Sequence, residues 1–94
     1  MAKLKNVEKR IFEIEGFEVV VKNTEGKDVH GNKEGFNQWD GRKQTKNSMT
    51  VNGFKDKFEK KYQGYKVDVL DADGNVQSGN KLLGNVRDTY LEED

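Results

Sequence analysis

His30 is the only histidine in the 94-residue chain, so any histidine-dependent chemistry would have to use it. A histidine-activated nucleophile and imidazole acid–base catalysis would both require this one side chain. Asp28 and Glu34 are close to it in sequence, but their spacing from His30 matches no metal-binding motif. The sequence contains neither G-x-x-x-x-G-K-[ST] nor G-x-G-x-x-G, the glycine-rich motifs that bind phosphate groups. We therefore expect no catalytic residues, no metal site and no cofactor. A small enzyme that uses only carboxylates is the third alternative for function, because paired carboxylates have no diagnostic spacing.

Residues 71–75, DADGN, have the composition of the start of a calcium-binding loop. An EF-hand loop needs glycine at its sixth position and glutamate at its twelfth. Here glycine is at the fourth position and Leu82 is at the twelfth. The flanking residues also favour strands. This segment therefore predicts a tight turn that binds no metal.

A basic segment that follows two aromatic residues is the clearest indication of a binding surface. Residues 42–61 carry seven basic residues against two acidic ones, a net charge of +5. Residues 68–94 carry seven acidic residues against two basic ones, a net charge of −5, so the zero net charge of the chain conceals a basic middle and an acidic end. The predicted binding residues are Phe36, Trp39, Arg42, Lys43, Lys46, Lys57, Lys60 and Lys61.

Aromatic rings beside cationic side chains suit single-stranded nucleic acid, in which bases stack and phosphates pair with the cations. They suit an acidic protein surface equally well, since Trp and Arg are frequent interface anchors. The zero net charge and the acidic C-terminal part favour a protein partner, because phosphate binding without sequence preference usually needs a basic domain. We therefore expect a non-catalytic protein that binds a partner with an acidic surface and modulates or inhibits it. A nucleic-acid-binding module is the second alternative.

A third interpretation assigns the segment no binding role. The lysines would then form a solvated helix face, which is the usual position of lysine. Trp39 would fold back onto the core as a lid.

Residues 50–62 predict an amphipathic helix, which would position the C-terminal lysines of the basic segment. Val51, Phe54, Phe58 and Tyr62 recur at helical spacing, so they share one side. Thr50 is the expected N-cap, with Ser48 or Asn52 as alternatives. Because a helix with one apolar stripe must bury it, we expect this helix to pack on a sheet face.

Two β-hairpins would supply that sheet, at residues 17–29 and 65–77, with turns at Gly26 and Gly74. The pattern aromatic-x-V-x-V-x-[N/D]-x-[E/D]-G aligns the two hairpins without gaps. It indicates either an internal repeat of two ββα units or two unrelated hairpins with favourable sequences. The second hairpin needs about four residues to reach its helix, whereas the first is followed by about twenty, a length that is usually functional or mobile.

The remaining segments complete a predicted α+β fold in a single domain of residues 1–94. Alternation over residues 10–15 predicts a strand that ends at a bulge or turn at Gly16. Residues 82–91 predict a short C-terminal helix. We expect residues 30–49 to form a long loop, and residues 1–9 and 92–94 to fray.

Composition restricts the setting of the protein. The chain has no cysteine, which excludes disulfides and thiolate metal sites. No apolar run approaches the length of a membrane span, and the N-terminal residues lack the apolar region of a secretory signal. We therefore expect a cytoplasmic protein that does not bind membranes.

Overall fold

The computed structural model describes residues 2–39, 41 and 43–91. Within these residues, three helices and a two-stranded antiparallel sheet confirm the α+β class. The elements are α1 (Leu4–Glu15), β1 (Glu18–Asn23), α2 (Val51–Lys61), β2 (Tyr65–Leu70) and α3 (Leu83–Leu91). No helix in this part of the chain is long and apolar enough to cross a membrane.

Helix α1 is the main difference from the sequence-based expectation. The strand predicted at residues 10–15 and the frayed segment predicted at residues 1–9 are both wrong, because one helix covers most of both. Leu4, Val7, Ile11 and Glu15 are buried at helical spacing across the two segments. Alternation over six residues was too short to be decisive, and the helical period was visible only across both segments.

Gly16 ends this helix instead of forming a bulge in a strand. Its φ of 83° is left-handed, and its N–H donates to the carbonyl of Phe12. A left-handed glycine is a common helix terminator because it lacks a Cβ. The change in the parity of buried residues at Gly16 therefore marks a helix-to-strand junction.

Strands β1 and β2, one from each predicted hairpin, pair with each other over their full length and form the two-stranded sheet. The register places Val20 opposite Asp68 and Val21 opposite Val67. The return limb of each hairpin contributes one isolated bridge only, Lys22 with Asp28 and Leu70 with Val76. The sheet therefore joins the two halves of the chain.

The two halves repeat the same backbone hydrogen bonds. In each half, the first two N–H groups of the helix donate to a Gly-Asn-Lys segment that follows the hairpin. The pairs are Leu4 with Lys33 and Lys5 with Gly31, then Val51 with Lys81 and Asn52 with Gly79. The N–H of Phe36 donates to the carbonyl of Ala2, as that of Leu83 does to Met49.

The repeating unit is therefore a helix, a strand and a turn, not the ββα unit considered from the sequence. The Gly-Asn-Lys sequence occurs in both halves, at residues 31–33 and 79–81. Left-handed glycines follow each helix and make each turn, namely Gly16, Gly26, Gly64 and Gly74. Val20 and Asp68 occupy the same position in the two units and face each other in the ladder. An approximate twofold axis therefore passes between them.

One core is built from both units. The rings of Phe17 and Phe54 meet edge to face, with their centroids 5.0 Å apart. The buried strand residues all lie on one face of the sheet, since buried positions alternate along both strands: Val19, Val21, Val67 and Val69. Val51, Phe54 and Phe58 are the buried residues of α2.

Residues 37–39, 41 and 43–48 belong to a strap that runs from one unit to the other. The Tyr62 hydroxyl donates to the carbonyl of Asn37 at 2.6 Å. Near the other end, the Thr45 N–H and hydroxyl both donate to the Glu15 carboxylate at 2.9 Å. Glu15 is the last buried residue of α1, and Tyr62, the C-cap directly after α2, holds the equivalent position. Equivalent positions at the ends of the two helices thus fix the strap.

Arg87 completes the buried polar cluster around Glu15. Its guanidinium lies 2.9 Å from the Glu15 carboxylate and also donates to the Glu15 carbonyl at 2.6 Å and to Asn47 Oδ1 at 2.7 Å. Glu15 is fully buried and Arg87 nearly so. This cluster connects α1, the strap and α3.

Arg87→Met should lower the free energy of unfolding by about 3–5 kcal/mol, because it leaves the Glu15 charge buried without its cation. Glu15→Gln combined with Arg87→Met removes both charges and retains an acceptor for Thr45. We expect this double variant to be more stable than Arg87→Met alone, as measured by urea denaturation. Simple additivity of the two substitutions would show that the ion pair is not coupled.

Candidate macromolecule-binding site

A cleft of about 550 Å³ opens between α2 and the strap. Four of the predicted binding residues line it: Trp39, Lys57, Lys60 and Lys61. Gly41, Gly53 and Asp56 complete the wall. The structure therefore brings half of the predicted set to one place.

Helix α2 orients the lysines. The Thr50 hydroxyl accepts the N–H of Gly53 at 3.2 Å, which confirms the predicted N-cap. Burial of the stripe that contains Phe54 and Phe58 fixes the rotation of the helix. Lys60 and Lys61 lie in the last turn, where positive charge also interacts favourably with the helix dipole.

Trp39 belongs to the core. Only 2% of its surface is exposed. The indole is stacked against Phe58 at 6.3 Å and against Tyr62 at 6.3 Å, and it is tilted against Phe54 at 5.9 Å. This arrangement agrees with the interpretation of Trp39 as a lid, and a role of the indole in binding stays a prediction.

Phe36 is also buried, with 5% of its surface exposed. Its ring contacts Tyr65 at 5.1 Å and Tyr62 at 6.2 Å. It does not line the cleft with Trp39. Phe36, a predicted binding residue, therefore packs beneath the surface. Burial of its ring against the aromatic stripe of α2 is more favourable than exposure to solvent.

The indole nitrogen of Trp39 has an unusual environment. Nε1 is buried, and no acceptor among the described residues pairs with it. Such an unpaired donor costs about 1–3 kcal/mol. A Cβ at Gly41 would lie 2.8 Å from Nε1, so only glycine allows the backbone to pass this close to the indole edge.

Two lysines lie over the faces of aromatic rings at this site. Lys57 Nζ is 5.6 Å from the Trp39 ring centroid, and Lys61 Nζ is 5.7 Å from that of Tyr62. Contacts of this kind contribute about 0.5–1 kcal/mol at exposed positions. The aromatic residues therefore hold ammonium groups at the edge of the cleft.

The other predicted binding residues are separate from the cleft. Lys43 and Lys46 are exposed on the strap and do not line the cleft. Arg42 lies outside the described residues. Thr45, between the two lysines, points instead into the Glu15 cluster.

Sequence reasoning missed Gly41, Gly53 and Asp56. Gly53 and Asp56 could have been found from helical spacing, since they precede Lys57 and Lys60 by four residues each on α2. Gly41 carries no comparable signal, because its role depends on the position of the indole.

His30 and the Asp71 turn have local structural roles. His30 is exposed, and its Nδ1 accepts the N–H of Asn32 at 3.1 Å. The Asp71 carboxylate accepts the N–H groups of Asp73 and Asn75 at 2.9 Å, as in an Asx-turn. The hydrogen bond from Asn75 is the largest cause of the lowered pKa of Asp71. That this turn binds no metal stays a prediction.

A second cleft, of about 400 Å³, lies between α1 and the sheet. Glu8 and Phe12 line it together with Val20 and Leu70. Glu8 Oε2 accepts the N–H of Val21 at 3.2 Å. Burial raises the pKa of Glu8, and the Val21 hydrogen bond acts in the opposite direction.

Comparison with protein-family models, characterised proteins and solved structures found no match to this chain.

Trp39→Ala should lower the free energy of unfolding by about 3–5 kcal/mol, because it removes a ring packed against three aromatic neighbours. Urea denaturation provides the measurement. Lys43→Ala, on the exposed strap, is the matched control and should change stability by less than about 0.5 kcal/mol. A loss below about 1 kcal/mol for Trp39→Ala would show that the indole is not part of the core.

The change in stability caused by Glu8→Gln should be more favourable at pH 7 than at pH 3. Because the folded state favours protonated Glu8, the contribution of this group to stability is present below its unfolded pKa and is lost as pH rises through its raised folded pKa. Glutamine keeps an acceptor for Val21 and does not ionise. Thermal melts at both pH values test the sign, with Glu13→Gln at an exposed position of α1 as control. A difference that does not depend on pH would contradict this account.

Proposed function

We propose that this chain is a small non-catalytic protein that binds an acidic surface of another protein and modulates or inhibits that partner. The convergence of Lys57, Lys60 and Lys61 on one cleft carries the proposal. Lys43 and Lys46 are exposed on the strap, apart from this cleft. We place the protein in the cytoplasm, with α2 docked on one face of the two-hairpin sheet as its scaffold.

Charge at the cleft favours an anionic partner. Three lysines line it, against Asp56 as the one carboxylate in the described wall. Lys55 is also on α2, but its Nζ lies 3.9 Å from the Asp68 carboxylate, so it is engaged with the sheet. Asp68 also pairs with Lys22 at 3.1 Å. Lys22 and Lys55 thus balance the charge of Asp68, which is separate from the cleft lysines.

The burial of the two aromatic residues supports a protein partner over nucleic acid. Binding of single strands depends strongly on bases that stack on exposed rings. Phe36 and Trp39 expose only 5% and 2% of their surfaces. Interfaces with proteins need no such platform, because complementary charge can guide association at a rim of lysines.

Lys57→Glu with Lys60→Glu should abolish capture of the partner from the native source while the protein stays folded. Lys9→Glu with Arg10→Glu makes the same change in charge at exposed positions of α1 and should retain capture. The wild-type association rate should fall with added salt, by about tenfold or more, because steering by charge is screened. Surface plasmon resonance with the captured partner gives these rates.

Nuclease treatment separates the two kinds of partner. Capture that survives nuclease supports the proposal. Capture that is lost with nuclease, with affinity that falls log-linearly with salt, would assign the basic cleft to nucleic acid instead. Equal loss in both charge-reversal variants would show that the cleft has no special role.

A further inference from the structure

The Trp39 indole combines two properties that rarely occur together. The side chain is 98% buried, since 2% of it is exposed, and its N–H has no acceptor among the described residues. Buried polar groups in folded proteins are nearly always paired, so an unpaired one needs a reason. The same side chain lines the cleft that Lys57 and Lys60 border.

We propose that this cleft receives one carboxylate, from an aspartate or glutamate side chain of the partner, which accepts the Trp39 indole N–H. Lys57 and Lys60 flank the bound group and balance its charge. This inference rests on the proposed function and specifies the chemical group that the site recognises.

The donors determine the class of ligand. Indole nitrogen can only donate, so its partner must be an acceptor. Lys57 Nζ, which is 5.6 Å from the indole centroid, adds a positive charge close to the same ring. A hydrogen bond from this site to an ionised acceptor would be stronger than one to a neutral carbonyl. Asp56 in the same wall opposes a doubly charged phosphate more than a singly charged carboxylate.

Gly41 lies directly against the indole nitrogen. A Cβ there would lie 2.8 Å from Nε1 and 3.3 Å from Cε2, so the backbone of this residue covers the indole edge. The proposed hydrogen bond would require this backbone to move away from Nε1. Glycine opposes such a shift least, because it has no side chain packed in the core.

The single tryptophan permits a direct test, because the intact ¹⁵N-labelled protein has one indole N–H resonance in its NMR spectrum. The probe is a blocked tetraglutamate peptide, with the tetraglutamine peptide as matched control at equal ionic strength. We expect the indole proton to move downfield and to saturate with the glutamate peptide only. Lys57→Met with Lys60→Met should weaken this binding by about tenfold or more, whereas Lys9→Met with Arg10→Met should leave it unchanged.

Trp39→Phe keeps an aromatic ring and removes the donor, so it should weaken binding of the glutamate peptide while the lysine backbone resonances still respond. Should this variant fail to fold, the wild-type titration decides by itself. Inorganic phosphate that shifts the indole proton at lower concentration than the peptide would overturn the assignment to a carboxylate.

An indole resonance that stays unchanged while the Lys57 and Lys60 amides respond to the peptide would overturn this inference and leave the proposed function standing. The inference would also be overturned if the peptide shifted neither the indole resonance nor the Lys57 and Lys60 amides. The proposed function itself would be contradicted only if Lys57→Glu with Lys60→Glu also had no effect on capture of the partner.

Discussion

The antiparallel ladder between β1 and β2 is the interaction on which the rest of the structure depends. Each half of the chain contains one full strand, and its own hairpin limb provides a single bridge. The inner edge of each strand can therefore be satisfied only by the other half. Tyr90 of α3 completes this ladder at one end, since its hydroxyl donates to the Leu70 carbonyl at 2.6 Å and accepts the Glu18 N–H at 2.9 Å. The helices and the strap are arranged around this junction.

The strap shows how the two units differ in chemistry at equivalent positions. Glu15 is the last buried residue of α1 and Tyr62 directly follows α2, and each binds one part of the strap. A phenol needs one hydrogen bond when it is buried, whereas a carboxylate needs compensation of its charge, and Arg87 supplies it. The segment that seemed too long for a connection is therefore fixed by both units, and it carries Trp39 onto the aromatic stripe of α2.

Local patterns predicted the features that depend on local chemistry. Helix α2, its Thr50 cap and the grouping of Lys57, Lys60 and Lys61 follow from spacing along one element. Helix α1 was missed because six alternating residues outweighed a longer helical period that begins at Leu4. The sequence could not decide between an exposed and a buried Trp39, because its burial depends on where the strap crosses α2. The recurrence of Gly-Asn-Lys in both halves was visible in the sequence and would have extended the repeat beyond the hairpin turns.

The register of the sheet also has a consequence for the folding pathway. Asn23 pairs with Tyr65 and Glu18 with Leu70, so even the nearest pair encloses most of the middle of the chain. Closing such a large loop costs chain entropy before the ladder returns any stabilisation, and contacts of this kind slow folding. Helices α1 and α2 can form locally in advance, but the sheet cannot. Because the chain contains no proline, a slow phase in refolding would report this closure and not the isomerisation of a prolyl bond.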